Sequence, residues 1–157
     1  MRPLPTSLAA DLWHELAAGA AAESPLWAKA LRPEDEQERL AIFSPLASDP
    51  FALGFETIYE GYLVHYGRPR LFAPADDHEA ILLGDCLYAH GLVRIAATGD
   101  IDAVAALAEL ISACAALRAD GVDGDGEEWV AAARRLGGDP TPEDVTRALA
   151  AHARRVD

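Results

Sequence analysis

The 157-residue chain carries 26 acidic and 13 basic residues, a formal net charge of −13. This balance argues against nucleic-acid binding, because clustered Lys and Arg supply much of the affinity for a phosphate backbone. Hydrophobic residues make up 51% and charged residues 25%, which is typical of a globular domain, and we expect a single domain over residues 1–157.

Leucines and Trp13 at helical spacing predict a first helix over residues 8–22, and a short second helix follows over residues 26–31. Pro33 and the acidic residues after it predict a third helix over residues 32–43, because proline and carboxylates both suit a first helical turn. Asp49 and Pro50 begin a fourth helix over residues 51–67. Its aromatic face is either ordinary core or the wall of an apolar pocket, and comprises Phe51, Phe55, Tyr59, Tyr62 and Tyr66.

The second half of the chain gives the strongest helix predictions. Asp76 and Asp77 start a helix over residues 78–97, and Asp100 starts another over residues 101–119. The connection between them is short, so the two helices should form an antiparallel hairpin. A flexible acidic loop over residues 120–126 and two final helices, over residues 127–137 and 142–155, follow. No segment alternates as a strand would, which predicts an all-α, single-domain bundle of about six to eight helices.

Targeting and metal-binding patterns are both missing from the sequence. No stretch has the length of a signal-peptide core, and no window has the ~18 apolar residues of a membrane span, so we expect a cytoplasmic protein without a transmembrane segment. Cys86 and Cys114 lack the spacing of a redox or metal pair. An EF-hand reading of the acidic loop would put Gly121 and Ala132 at ligand positions. We predict no metal site and no cofactor.

The segment HYGRPRLF, residues 65–72, holds two arginines between two helices. Arg68 and Arg70 either contribute to an anion site or belong to a structural connection. Asp85 lies on an apolar stripe of its helix, which predicts partial burial and a need for a cationic partner. We expect it to pair with Arg68 or Arg70. An unrelated enzyme that uses Asp85, His65 or His90 as acid or base is the alternative.

Residues 67–72 and 80–117 resemble the middle of trans-prenyl diphosphate synthases. Those all-α enzymes carry an RRG-x-P-T segment, a helix close to AVLLGDYLLA and a GD turn into another apolar helix. The order, the spacing and the core Gly84-Asp85-x-Leu87-x-Ala89 agree with that pattern. The resemblance implies an isoprenoid-synthase-like fold over roughly a third of the chain.

The chain departs from that family at the chemistry. His65 and Tyr66 stand where two diphosphate-binding arginines are expected, and Thr57, Ile58 and Gly61 stand at the first aspartate-rich motif. That motif binds the magnesium ions that act as Lewis acid in the family. The second such motif has no counterpart. The resemblance therefore implies no catalytic residues, as in the short subunits of heteromeric synthases.

We therefore predict a non-catalytic accessory or regulatory subunit in isoprenoid biosynthesis, bound to a catalytic prenyl synthase subunit or to a second copy of itself. The predicted interface consists of Ile81, Tyr88, Leu92 and Ile95. The alternative is a stand-alone helical protein that binds an apolar or prenyl-phosphate ligand. The ligand-binding candidates are Tyr62, Tyr66, Arg68, Arg70 and Asp85.

Overall fold

The computed structural model describes the backbone of residues 6–156 and the side chains of residues 11–156. Within that range the chain forms seven α-helices and no β-strand beyond one isolated bridge, between Leu31 and Phe72. The all-α, single-domain prediction is confirmed. The helices are α1 Thr6–Glu23, α2 Pro25–Ala30, α3 Ala52–Tyr66, α4 Asp77–Ala96, α5 Ile101–Asp120, α6 Asp125–Arg135 and α7 Pro142–Val156.

The predicted caps of the central hairpin are confirmed. The Asp76 carboxylate accepts a hydrogen bond from the Glu79 amide at 2.8 Å and begins α4. Asp100 accepts from the Ala103 amide at 2.9 Å and begins α5. Each aspartate satisfies an amide that the first helical turn leaves without a backbone partner.

The helix predicted over residues 32–43 is wrong. Only a 3₁₀ turn, Glu34–Glu36, forms there, and the chain then runs on without helix. The Glu38 amide donates to the Arg70 carbonyl at 3.0 Å, and the Leu40 carbonyl accepts from the Arg70 side chain at 2.8 Å. These contacts with a distant segment use the backbone groups that a helix would have used, so tertiary bonding outweighs local propensity.

Helix α3 lies at the centre of the molecule and is buried on nearly every side. It packs against α4 through two pairs of facing glycines, Gly54 with Gly91 and Gly61 with Gly84. A Cβ atom on Gly91 would lie 2.9 Å from the Gly54 carbonyl oxygen, and one on Gly61 would lie 2.9 Å from that of Gly84. The glycines recur at seven-residue spacing, so the same face of each helix permits backbone contact along the pair.

The acidic loop is shorter than predicted. Helix α5 extends to Asp120 and α6 begins at Asp125, so residues 121–124 form the connection. Gly121 and Gly124 have φ angles of 64° and 119°, a conformation that glycine adopts without steric cost. This tight connection turns Asp125 toward the interior.

Candidate functional site

Arg70 is a core residue. Its side chain has 0% exposed surface and lies between Glu56 and Glu60 of α3. Its Nη1 is 2.5 Å from Glu56 Oε2, and its Nε is 3.0 Å from Glu60 Oε1. The guanidinium also lies over the rings of Trp13 and Tyr59, at 4.8 and 5.0 Å from their centroids. Arg70 therefore has no surface available to a ligand.

The two glutamates hold the connecting segment as well as the Arg70 side chain. Glu60 Oε2 accepts from the backbone amides of Arg70 and Leu71 at 2.9 and 2.8 Å. Burial alone would lower the pKa of Arg70, but the adjacent Glu56 and Glu60 carboxylates outweigh it and raise the pKa. The arginine stays cationic, because two carboxylates without water need a positive partner.

Arg68 has a structural partner too, although its side chain is exposed. Its guanidinium donates to the Arg154 carbonyl, and its amide donates to the Arg155 carbonyl at 2.9 Å. These carbonyls belong to the last turn of α7, where no amide of the same helix is available to donate to them. HYGRPRLF is thus a structural segment: it contains the end of α3 and the residues after it, and Arg68 hydrogen-bonds it to the C-terminal helix.

The predicted pairing of Asp85 with Arg68 or Arg70 is wrong. The Asp85 side chain is 66% exposed and lies beside His65, whose Nε2 is 3.5 Å from Asp85 Oδ1. The same His65 nitrogen is 3.0 Å from the Ile81 carbonyl oxygen. The His65 ring packs on Gly84, where any larger residue would collide with it. Asp85 is a surface residue because the α3–α4 contact uses the neighbouring glycine.

A second polar network, absent from the sequence predictions, joins four helices. The Tyr59 hydroxyl of α3 is 2.8 Å from Nδ1 of His152 in α7. His152 Nε2 is 3.1 Å from Asp125 Oδ2 in α6, and a carboxylate only accepts, so Nε2 carries the proton. In the neutral imidazole, Nδ1 then accepts from Tyr59. All three side chains lie inside the protein.

Tyr62 and Arg118 complete this network. The Tyr62 hydroxyl donates to Asp125, and Arg118 Nη2 lies 2.8 Å from that hydroxyl and 2.9 Å from Asp125 Oδ2. Burial opposes ionisation of Asp125, but hydrogen bonds from His152 and Tyr62 and the Arg118 charge outweigh it and lower the pKa of this carboxyl well below its usual range. Burial, together with the Asp125 hydrogen bond, raises the pKa of Tyr62.

The aromatic face of α3 forms core rather than the wall of a pocket. Tyr59 and Tyr62 are each 1% exposed and contact the Trp129 indole edge to face, with centroid distances of 4.9 and 5.4 Å. Phe43 stacks on the same indole at 5.7 Å. The Tyr62 hydroxyl is occupied by Asp125 and Arg118. Tyr62 is therefore not placed to contact a ligand.

A groove of about 500 Å³ lies between the end of α3 and the start of α4. Val64, Ala80 and Ile81 give it apolar walls, and His65, Tyr66 and Asp77 give it polar ones. Of the predicted ligand-binding residues, Tyr66 lines this groove. The nearest carboxylates, Asp77 in the groove and Asp85 beside His65, do not favour a phosphate.

The outer side of α4 and α5 exposes four large aliphatic side chains. Ile81, Leu82, Val93 and Ile101 expose 56%, 58%, 69% and 82% of their surface. We define the outer face by ten of the exposed residues on the two helices. From α4 these are Ile81, Leu82, Asp85, Ala89 and Val93. From α5 they are Ile101, Ala105, Ala108, Ser112 and Ala115.

The predicted interface overlaps this outer face only in part. Ile81 belongs to it, whereas Tyr88 and Leu92 are half-buried and pack against the core. Ile95 is 1% exposed and lies against Gly54, so its inclusion in an interface is wrong. The exposed positions of α4 lie beside the predicted stripe around the helix, because the side of α4 that carries Gly84 and Gly91 packs against α3.

Neither cysteine has the character of a reactive thiol. Both are free, Cys114 buried and Cys86 half-buried. Burial, more than any other influence, raises the pKa of the Cys114 thiol to about 12, and it also raises the pKa of the Cys86 thiol. A nucleophilic cysteine needs the opposite shift.

Fold and site together define a small all-α bundle with two buried polar networks and one outer face of exposed aliphatic side chains. Comparison of the chain with protein-family models, with curated proteins and with solved structures found no match. The relation to prenyl diphosphate synthases stays a prediction. Among the side chains that the structure describes, no group of three or more from His, Cys, Asp and Glu is arranged to hold a metal ion. In the same part of the chain, none of the helices has the length and apolar character that crossing a membrane requires.

Proposed function

We propose that the protein is a non-catalytic helical subunit that binds a partner protein through the outer face of α4 and α5. The observation that carries this proposal is the exposure of four large aliphatic side chains, Ile81, Leu82, Val93 and Ile101, on two neighbouring helices. Contiguous apolar patches on soluble proteins mark interaction sites. The sequence resemblance names the class of partner, a catalytic prenyl diphosphate synthase subunit.

The buried networks support a non-catalytic role. Arg70, Glu56 and Glu60 satisfy one another inside the core, and His152 is fully engaged by Tyr59 and Asp125. A general acid or base must reach the proton that it transfers. These titratable groups are hydrogen-bonded to other protein groups, and none of them lines the α3–α4 groove.

The test is an affinity pull-down of the tagged protein from lysate of its own source organism, with stoichiometry by mass spectrometry. Val93→Asp introduces a charge into the outer face, whereas Val122→Asp changes a valine that is also more than half exposed but lies in the α5–α6 connection. We expect the first variant to lose the partner while its helical circular dichroism is unchanged. The second should retain the partner.

Two results would contradict the proposal. One is recovery of the same partner, in the same amount, with Val93→Asp. The other is recovery of the unmodified protein alone, as a monomer. Recovery of a chain with intact aspartate-rich motifs would support the prenyl synthase partner, and recovery of an unrelated protein would leave only the binding role.

The second candidate function is the binding of an apolar ligand in the α3–α4 groove. The apolar walls formed by Val64, Ala80 and Ile81 favour it. A rise in melting temperature with a prenyl diphosphate, absent with a short alkyl phosphate, would support this function. Ile81→Glu, which puts a carboxylate on that wall, should abolish the rise. No response to either compound would exclude it.

A further inference from the structure

The charges on α4 and α5 are distributed unevenly between the two sides of the hairpin. Residues 76–120 contain eight acidic residues and two arginines, Arg94 and Arg118. Arg94 donates to Thr57 Oγ1 and to the Glu15 carbonyl, at 2.7 and 3.0 Å. Arg118 donates to Tyr62 and Asp125. Both cations of this segment are therefore committed to contacts inside the chain.

Carboxylates lie within and beside the outer face. Asp85 is 66% exposed and stands between Leu82 and Ala89 on the exposed side of α4. Asp102 is exposed beside Ile101 at the start of α5. Glu109 lies toward α6 and pairs with Arg135. The face itself thus carries one charged residue, which is negative, and Asp102 adds a second negative charge at its edge.

A second copy of this chain is a poor occupant of the face. Each copy carries a formal charge of −13, and contact of this face with the same face of a second copy would cover Asp85 of both copies. Like charges opposed across an interface are costly and slow association. Apart from Ile101, the α5 half of the face has small side chains, Ala105, Ala108, Ser112 and Ala115, and small side chains pack best against larger ones.

We propose that the partner segment that fits this face is an amphipathic helix with large apolar side chains flanked by arginine or lysine, one of which pairs with Asp85. The inference rests on the proposed function, since it specifies the partner of the same face. Complementary charge would accelerate docking and reject acidic helices, while the apolar contacts supply most of the affinity.

Two synthetic helical peptides of equal length test this directly. Both carry the same leucine stripe; one has arginines beside the stripe and the other has glutamates at the same positions. Binding of each to the full chain is followed by fluorescence anisotropy. We expect the arginine peptide to bind at least about tenfold more tightly than the glutamate peptide, and to weaken as salt rises from about 0.05 to about 0.3 M.

Variants separate a specific charge contact from general attraction to an acidic protein. Asp85→Asn should weaken the arginine peptide by about threefold to tenfold, and Val93→Ser should weaken both peptides. Glu143→Gln removes one exposed carboxylate from α7, outside the face, and should change neither affinity. Equal effects of Asp85→Asn and Glu143→Gln would overturn the inference, as would equal affinity of the two peptides.

The outcomes also separate this inference from the proposed function. Sedimentation showing a dimer that Val93→Ser dissociates would overturn the basic-helix partner but retain a binding role for the outer face. Absence of peptide binding, together with a partner that Val93→Asp still recovers, would overturn both. Charge-independent peptide binding with loss of the partner in Val93→Asp would overturn the partner chemistry alone.

Discussion

Tyr59 and His152 lie 93 positions apart in the chain, yet the Tyr59 hydroxyl and His152 Nδ1 form a 2.8 Å hydrogen bond in the core. This bond holds α7 against α3. The buried positions of α7 are Asp144, Ala148, His152 and Arg155, and three of the four are polar or charged. Polar bonds therefore hold the C-terminal helix in addition to the apolar contacts of Val145, Ala148, Leu149 and Val156 with the core.

Tyr59→Phe should destabilise the protein by about 1–2 kcal/mol. The variant keeps the ring that packs on Trp129 but leaves Nδ1 of His152 buried without a donor, and an unsatisfied buried group carries its full desolvation cost. Urea unfolding measures the change. Tyr66→Phe is the control, because the half-buried Tyr66 ring also packs against Tyr62, and this change should cost less than half as much. Equal effects would mean that the Tyr59 hydroxyl adds nothing.

Arg70→Met should destabilise by about 3–5 kcal/mol, or prevent folding, because it leaves Glu56 and Glu60 as uncompensated buried charges. Chemical denaturation at neutral pH gives the free energy, and soluble yield serves where folding fails. Arg68→Met is the matched control on the exposed neighbour and should cost less than about 1 kcal/mol. A stable, folded Arg70→Met protein would refute the assignment of Arg70 as the counterion of the core.

Acid should weaken the protein partly through Asp125. Its pKa in the folded state is depressed, so the unfolded chain takes up a proton first as pH falls, and the stabilisation is lost progressively below about pH 5. The unmodified protein should therefore lose stability more steeply than Asp125→Asn between about pH 5 and about pH 2. Urea unfolding across that range measures both slopes. Asp123→Asn, in the exposed connection, should follow the unmodified protein, and parallel curves for all three would contradict the prediction.

Gly91→Ala should destabilise by about 1–3 kcal/mol, although alanine favours helix, because the added methyl group meets the Gly54 carbonyl and the Ile58 side chain. Thermal unfolding followed by circular dichroism measures this effect. Gly19→Ala is the control within another helix. Its methyl group meets only the end of the Arg94 side chain and a His90 ring atom, so the change should stay within about 1 kcal/mol. A neutral Gly91→Ala would argue against close contact of α3 and α4.

Local patterns were sufficient to predict most helices and their caps. Asp76 and Asp100 act over three residues, a range that the sequence displays directly. The failure at residues 32–43 has the opposite cause, since the Leu40 carbonyl bonds Arg70, thirty positions away. Spacing alone holds no information about such a partner.

The two buried networks differ in the same respect, because one has a local sequence pattern and the other depends on helix packing. Glu56 and Glu60 stand four residues apart on a helix that is mostly apolar and aromatic, and this pattern alone could have predicted a buried pair that requires a cation. The meeting of Asp125 with His152 could not have been predicted, because it depends on how α6 and α7 pack. Asp125 was assigned to a solvated loop because its neighbours are glycines and aspartates.

The Arg70 network also bears on the order in which the chain assembles. Glu56 and Glu60 retain their hydration until Arg70, fourteen and ten positions further on respectively, replaces the water. Closing so short a segment costs little entropy, whereas His152 must return from the far end of the chain. We therefore expect α3 and residues 67–72 to consolidate early in folding, and α7 to dock last.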